Sequence, residues 1–372
     1  MELDKIRSEF PILKNKTYLN SCSLGALSLR SMSHLEEFQK IWNDWGASAW
    51  YNTWGNVIEE LRGRVSTFLN IQPGELAFLP STSTALSVIA ESVSYRKRNK
   101  VICTELDFPT LAFQWAVKPD IELVVLPSID GIHIDPQQFA DAVDEKTAFI
   151  ATSHVFYTTG YIQDIEVLAD IAHKSGAFLL IDGYQAPGQI PVDLKNSLVD
   201  FYTAGSLKWL CGGPGLSYLY VRNELIETMQ PRITSWFASR DQFDFQLDQF
   251  EPHQDSRRFE MGTPALPTIY TALGGQKCID EVGIEKIHNR NIYLREYLID
   301  NLLQLGLDLT IAEDPTSRSA IVMIKSDHPE RIVAKLSEKD VILDNRPGHV
   351  RVSPHFYNTT DDLDHLINCW PT

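Results

Sequence analysis

Two residues in the stretch LLIDGYQAPGQIPVDLKNSLVDFYTAGSLKWLCGGPG, 179–215, are of types that could do chemistry together. Asp182 ends an apolar run, and Lys208 stands between a small-residue turn and a glycine-proline stretch. Taken singly, a carboxylate after a strand commonly caps a turn, and a lysine is commonly solvated. As a pair they suit a cofactor that carries a basic ring nitrogen and an aldehyde. The carboxylate would keep the nitrogen protonated and the amine would hold the aldehyde as an imine, which is the pyridoxal phosphate arrangement. Burial and neighbouring cationic character would lower the lysine pKa, as a Schiff-base nucleophile requires.

The elements that must position this pair are strand-like runs alternating with helix-like ones, without internal repeats. ELAFLP (75–80), KVICTE (100–105), ELVVLPS (122–128), TAFIATSHV (147–155), AFLLID (177–182), DFYTAG (200–205) and LSYLYV (216–221) are short apolar or β-branched runs. Between them lie amphipathic stretches such as IEVLADIAHKSG (165–176), apolar at helical spacing and closed by Gly176 as a C-cap. This alternation predicts an α/β domain whose mainly parallel sheet is covered on both faces. Ligands of such sheets collect at the carboxyl ends of the strands, where Asp182 and the Lys208 loop both fall. Past the aromatic-rich TSWFASRDQFDFQLDQFEP the pattern changes near residue 256. A long helical stretch over 266–305 is followed by the strand-like LDLTIAE, SAIVMIKS and HVRVSP, with helices between and after. The expected organisation is a large domain over 1–255 and a smaller α+β domain over 256–372, with residues 1–25 packing on the smaller one.

Composition removes several classes of function. The 372 residues carry 49 acids against 33 Lys and Arg, a formal charge of -16, which repels nucleic acid and anionic membrane. The opening MELDKIRSEF is charged and lacks the apolar core of a signal peptide, and no apolar run approaches the roughly 20 residues that span a bilayer. A cytoplasmic location is expected. Five cysteines, an odd number with no C-x-x-C pair, suggest neither a disulfide framework nor a structural zinc site, so no metal is expected. A dehydrogenase is disfavoured by the lack of a G-x-G-x-x-G turn after an early strand.

From about residue 10 to residue 368, the chain resembles the class V aminotransferase-like family of pyridoxal-phosphate enzymes. That family includes cysteine desulfurases, isopenicillin N epimerase and kynureninase, on the fold type I architecture. IDGYQAPGQIPVDL is similar to its aspartate-x-x-glutamine/histidine segment, and GSLKWLCGGPGLSYLYV to its lysine segment. The resemblance implies that Asp182 partners the pyridine nitrogen, that Gln185 donates to the ring's phenolic oxygen, and that Lys208 forms the Schiff base. STSTAL (81–86) follows a strand where the family grips phosphate, implicating Thr82 and Ser83 at a helix N-terminus. Gly205 and Ser206 would add a further phosphate contact. TELDFPTLAF (104–113) aligns with the segment that lays a flat side chain on the ring, which makes Phe108 the stacking residue. In SHVFYTTGYIQD (153–164), Tyr157 falls at a cofactor or substrate contact, and His154 is either a supporting residue or a satisfied core histidine. RFEMGTP (258–264) resembles the segment whose threonine crosses a homodimer interface, so Thr263 would serve the neighbouring site. HVRVSPHFYNT (349–359) resembles the closing strand whose arginine holds the substrate α-carboxylate, which implies that role for Arg351.

The reaction expected from the resemblance begins with exchange of Lys208 for an incoming amino acid and loss of its Cα proton to the released amine. Residues 307–350 contain no cysteine, where a desulfurase carries its nucleophilic thiol, and Cys211 reads as packed beneath the lysine loop. Phe108-Pro109-Thr110, Tyr157-Thr158-Thr159-Gly160 and LDNRPGHVRVSPHFYN are kynureninase-like, whereas Leu111, Gln185 and Leu207 depart from that pattern. The expected activity is therefore a lyase acting on a β-substituted amino acid. A class V aminotransferase or an epimerase is the alternative, and a catalytically silent binding protein of the same fold is the non-enzyme reading. Trp236 either lines the substrate pocket or packs between domains, and WNDWGASAWYNTWG (42–55) could shape an apolar entrance.

Overall fold

The computed structural model describes residues 3–243, 245, 247–248 and 250–371. Its strands, in chain order, are β1 (Thr17–Tyr18), β2 (Leu76–Leu79), β3 (Lys100–Thr104), β4 (Glu122–Leu126), β5 (Thr147–Ser153), β6 (Phe178–Asp182), β7 (Phe201–Gly205) and β8 (Ser217–Val221). They continue with β9 (Leu309–Thr310), β10 (Val322–Lys325), β11 (Val341–Ile342), β12 (Asp344–Arg346) and β13 (His349–Val352). The seven runs read as strands from the apolar pattern are β2 to β8, and they form one seven-stranded sheet in the order β2-β8-β7-β6-β5-β3-β4. β3 pairs in parallel with β4 and β5, and the β5–β6 and β6–β7 pairs are also parallel. β8 runs antiparallel to both its neighbours.

Alternation along each strand sends side chains to opposite faces, and both faces are covered. Ala77, Leu79, Val101, Cys103, Phe149 and Leu180 pack on one side with Ala85, Leu86 and Ile89 of the helix Thr82–Ser92. Phe78, Ile102, Ile150, Leu179, Ile181 and Tyr202 face the other side, in a core shared with Leu168 of the helix Ile165–Lys174 and Ile269 of the helix Leu266–Val282. Continuous apolar runs rather than apolar-polar alternation are what such two-sided burial requires.

The second sheet, β12-β13-β10-β9, is antiparallel. Its core includes Leu294 and Leu298 of the helix Ile284–Gln304, Leu336 of Pro329–Ser337, and Leu363 and Leu366 of Thr360–Asn368. β1 pairs in parallel with β11, and Arg7 grips Asp362 through two bonds of 2.7 and 2.8 Å, so the N-terminal arm lies on these late elements. The helical stretch expected over 266–305 is two helices rather than one. Gly283 stands between them at φ 85°, a left-handed conformation that closes the first helix through its N–H to the Ile279 carbonyl. Among the described residues, no helix is long and apolar enough to cross a membrane.

Candidate active site

The carboxyl ends of β2, β3, β5 and β6, with the loop after β7, surround one pocket of ≈ 270 Å³. Its walls bring together Thr82, Ser83, Phe108, Tyr157, Asp182, Gln185 and Lys208, with Ser153, Tyr184 and Leu207. Asp182 is the last residue of β6 and is buried. One of its oxygens accepts the Tyr184 backbone N–H at 2.9 Å; the other accepts no hydrogen bond from a described residue. Burial raises its pKa, against the pull of that N–H and of Lys208.

Lys208 presents an amine with no carboxylate within salt-bridge distance among the described residues. Its Nζ lies 4.7 Å from the centre of the Tyr184 ring, a cation–π contact that accepts a charge without neutralising it. Burial pushes the amine down to about 8; the charges of Arg351 and Arg346 press the same way, and Cys22 and Asp182 oppose them. Gly205 makes room for Tyr184, because a Cβ there would stand 2.2 Å from a carbon of that ring. Ser206 is buried and its hydroxyl donates to the Gly213 carbonyl at 2.9 Å, which ties the lysine loop into a turn. Neither Gly205 nor Ser206 lines the pocket.

The opposite end of the pocket is the start of the helix Thr82–Ser92. Ser81 caps it by accepting the Thr84 N–H, and the backbone N–H groups of Thr82 and Ser83 donate to no described acceptor. The Ser217 hydroxyl gives its proton to the Ala204 carbonyl at 2.6 Å, so Thr82 is the donor in its 3.1 Å bond with Ser217. Ser83 shares a bond of 2.7 Å with Thr110. Phe108 caps the helix Pro109–Ala116, is 47% exposed, and meets Tyr157 edge-on at 5.2 Å between ring centres.

Arg351 is fully buried on β13 and adjoins the pocket through a 3.1 Å bond to the Tyr157 carbonyl. Its fork is held by Asp344 at 2.9 and 2.7 Å, and Ser23 accepts from the same nitrogen as the second of these. Ser23 in turn donates to Asp344. Burial alone would raise the Asp344 pKa, but the Arg351 bond overcomes it and holds the carboxyl below its ordinary value. Arg346 also donates to Asp344, at 3.2 Å.

Other expected residues lie elsewhere. Trp236 borders a separate cavity with Arg240, Phe245 and Phe250. Thr263 is exposed and makes no side-chain hydrogen bond to a described residue. His154 is a buried core residue; its Nδ1 lies 2.9 Å from the Tyr202 hydroxyl, and burial lowers its pKa to about 4. Cys211 is buried, and burial drives its thiol pKa up. Of the Trp-rich segment, Trp54 is buried, whereas Trp42, Trp45 and Tyr51 are exposed.

Four contributors were missed by the sequence reading: Tyr184 beneath the amine, Asp344 and Arg346 around Arg351, and Asp107 before Phe108. Asp107 is buried and accepts from the Thr104 N–H and hydroxyl, the Thr152 hydroxyl, and the Ser153 N–H and hydroxyl. These bonds clamp the β3 loop that carries Phe108. A signal for Asp344 was present: Pro347-Gly348 is a two-residue turn, and counting back along both strands sets 344 opposite 351.

With this geometry in place, likeness to known proteins becomes informative. The family model described as aminotransferase class-V matches residues 45–366. An uncharacterized aminotransferase, YcbU of Bacillus subtilis (strain 168), is 31% identical over 370 residues, covering 98% of this chain and 96% of that protein. Kynureninase of Geobacillus thermodenitrificans (strain NG80-2) is 28% identical over 372 residues, covering 95% and 86%. The solved cystine C–S lyase C-DES, in complex with its reaction product cysteine persulfide, shares the fold with a TM-score of 0.88 at 21% identity, covering 96% of this chain and 98% of that one. The chain belongs to the class V aminotransferase family, an α/β fold of pyridoxal-phosphate enzymes.

The cofactor of this family is pyridoxal phosphate, and the pocket fits it. Free helix N–H groups suit the phosphate, a carboxylate with an unused oxygen suits a ring nitrogen, an unpaired amine suits the aldehyde, and an exposed phenyl ring borders the space between.

Proposed function

We propose that this enzyme is a lyase acting on a β-substituted amino acid, of the kynureninase or C–S lyase type and without a catalytic cysteine. The observation that carries pyridoxal-phosphate chemistry is Lys208, an amine without a salt bridge among the described residues whose pKa is depressed to about 8, in one pocket with a buried carboxylate, and the absence of cysteine from residues 307–350 favours a lyase over a desulfurase. When bound, pyridoxal phosphate supplies an electron-withdrawing ring that takes up charge left at Cα.

Lys208 Nζ would hold the aldehyde and, as the free amine, would take the Cα proton. Asp182 holds its negative charge against the ring nitrogen, and a cation there returns its raised pKa toward the ionised range. Gln185 donates from its amide to the phenolic oxygen. Thr82 and Ser83 bind phosphate through backbone N–H groups, while Gly205 and Ser206 shape the turn beside it. Phe108 would lie against the ring, and Tyr157 meets Phe108 edge-on. Arg351 takes the substrate carboxylate. Asp344, Ser23 and the Tyr157 carbonyl use four of its five N–H donors and Arg351 does not itself line the pocket, so binding a carboxylate there would require Arg351 to loosen its hold on Asp344. Thr263, exposed in the single chain, reaches the neighbouring site of a homodimer. Trp236 is 42% exposed and borders its own cavity, which speaks against substrate contact in the Lys208 pocket.

The cysteines support a lyase over persulfide transfer. Cys22, Cys103, Cys211 and Cys278 are buried, Cys22 with its carbonyl against Gln185, Cys369 follows the last helix, and none of the five lines the pocket. The kynureninase relatives support the same reading, and the C–S lyase shares its fold. Aminotransfer is the second reading, favoured by the likeness to the aminotransferase YcbU. We place the enzyme in the cytoplasm, with a large unit over 1–255 and a smaller one over 256–372 whose first helix, Leu266–Val282, packs into the core of the larger. The test is product analysis on a panel of amino acids. Release of pyruvate or alanine supports a lyase. Amino transfer to a keto acid would replace that reading with a transaminase, inversion at Cα with an epimerase, and absence of both turnover and a lysine-bound chromophore with a silent binding protein.

A further inference from the structure

We infer that Trp209 is a positioning residue: its indole N–H locks the Gln185 side chain so that Gln185 offers the pocket a donor and never an acceptor. An amide can sit in either of two orientations, and only its partners choose between them. Here both partners are unambiguous. Trp209 Nε1–H, which can only donate, lies 2.8 Å from Gln185 Oε1. The Cys22 carbonyl, which can only accept, lies 3.0 Å from Gln185 Nε2. Flipping the amide would set donor against donor and acceptor against acceptor in a buried site. The second hydrogen of Nε2 is left for the pocket that Gln185 lines.

Trp209 is itself held. It is buried, and its carbonyl lies 2.9 Å from His355 Nε2. Burial lowers the His355 pKa to about 3, so the ring is neutral. A carbonyl only accepts, so Nε2 carries the proton and Nδ1 accepts from Asn291 Nδ2 at 3.3 Å. The imidazole also packs edge-on to the indole, with 5.1 Å between ring centres. Asn291, His355, Trp209 and Gln185 thus form one buried chain from the helix Ile284–Gln304 to the pocket. The proposal rests on the reading that Gln185 faces the ring oxygen, and it assigns the residue that enforces this.

The test is the pH titration of the visible chromophore of the holoenzyme. A hydrogen bond donated to the ring oxygen favours its anionic form, so the chromophore loses its proton at lower pH; losing the donor moves the midpoint up. Gln185→Ala should raise it by about one pH unit, and Trp209→Phe by roughly half a unit or more. The double variant should go no higher than Gln185→Ala alone. Benzothienylalanine at 209, which replaces the N–H with sulfur at nearly constant shape, should reproduce the Trp209→Phe shift. A wild-type midpoint in either position-209 variant, beside a shifted Gln185→Ala, overturns the role of Trp209 and leaves the Gln185 reading standing. An unshifted Gln185→Ala overturns both.

Discussion

Lys208 should behave as an amine with a pKa near 8, and the consequence is measurable before any substrate is known. The cause is burial, which penalises the ammonium more than the approach of Asp182 supports it. At pH 7.5 an amine with that pKa is neutral in roughly a quarter of molecules, whereas one left at 10.5 is neutral in about one in a thousand, a ratio of about 200. Only the neutral amine attacks an aldehyde, so the rate at which apoenzyme takes up pyridoxal phosphate should follow that fraction. Followed by visible absorbance, the rate should climb about tenfold per pH unit and level off above about pH 8. Arg346→Gln removes a cation and should move the plateau to higher pH; Asp182→Asn removes the supporting anion and should move it lower. The sign for stability follows from the same shift. Between about 8 and 10.5 the unfolded chain holds a proton that the folded apoprotein has lost, so the apoprotein should gain stability as pH rises through that window. A rate still climbing tenfold per unit at about pH 10 would refute the reasoning.

Arg351→Gln should lower kcat/KM by about 100-fold or more, the scale expected for removing a charge-assisted carboxylate contact, and steady-state kinetics checks it. Gly205→Ala places a Cβ 2.2 Å from the Tyr184 ring and should cost about 1–3 kcal/mol of stability together with cofactor affinity, measured by thermal melting and cofactor titration. Native alkylation should label Cys369 first and leave activity unchanged, because the other four thiols are buried; loss of activity on labelling would restore a thiol mechanism.

Much of this arrangement was legible before the structure. The apolar runs located all seven strands of the large sheet, because two-sided burial writes itself as continuous hydrophobicity, as in FLLID of β6. That Asp182 and Lys208 meet in one pocket was legible because strand ends are where such sheets bind ligands. What escaped were residues whose importance lies in distant partners. Tyr184 reads as an ordinary turn residue until Gly205, on the next strand, admits its ring. Trp209 joins a chain only through the Gln185 amide and the His355 imidazole, partners distant in sequence. Arg351 was expected to hold the substrate carboxylate, yet in the single chain Asp344 across the hairpin occupies its fork. The break at Gly283 was missed because apolar periodicity continues on both sides of it.

The central claim is that one amine, at position 208, carries the cofactor opposite Asp182. Borohydride reduction of the holoenzyme, followed by digestion and mass spectrometry, tests it directly. A single pyridoxyl adduct is expected on the peptide containing Lys208, lost in Lys208→Ala. An adduct on any other lysine, or none after incubation with the cofactor, would contradict it.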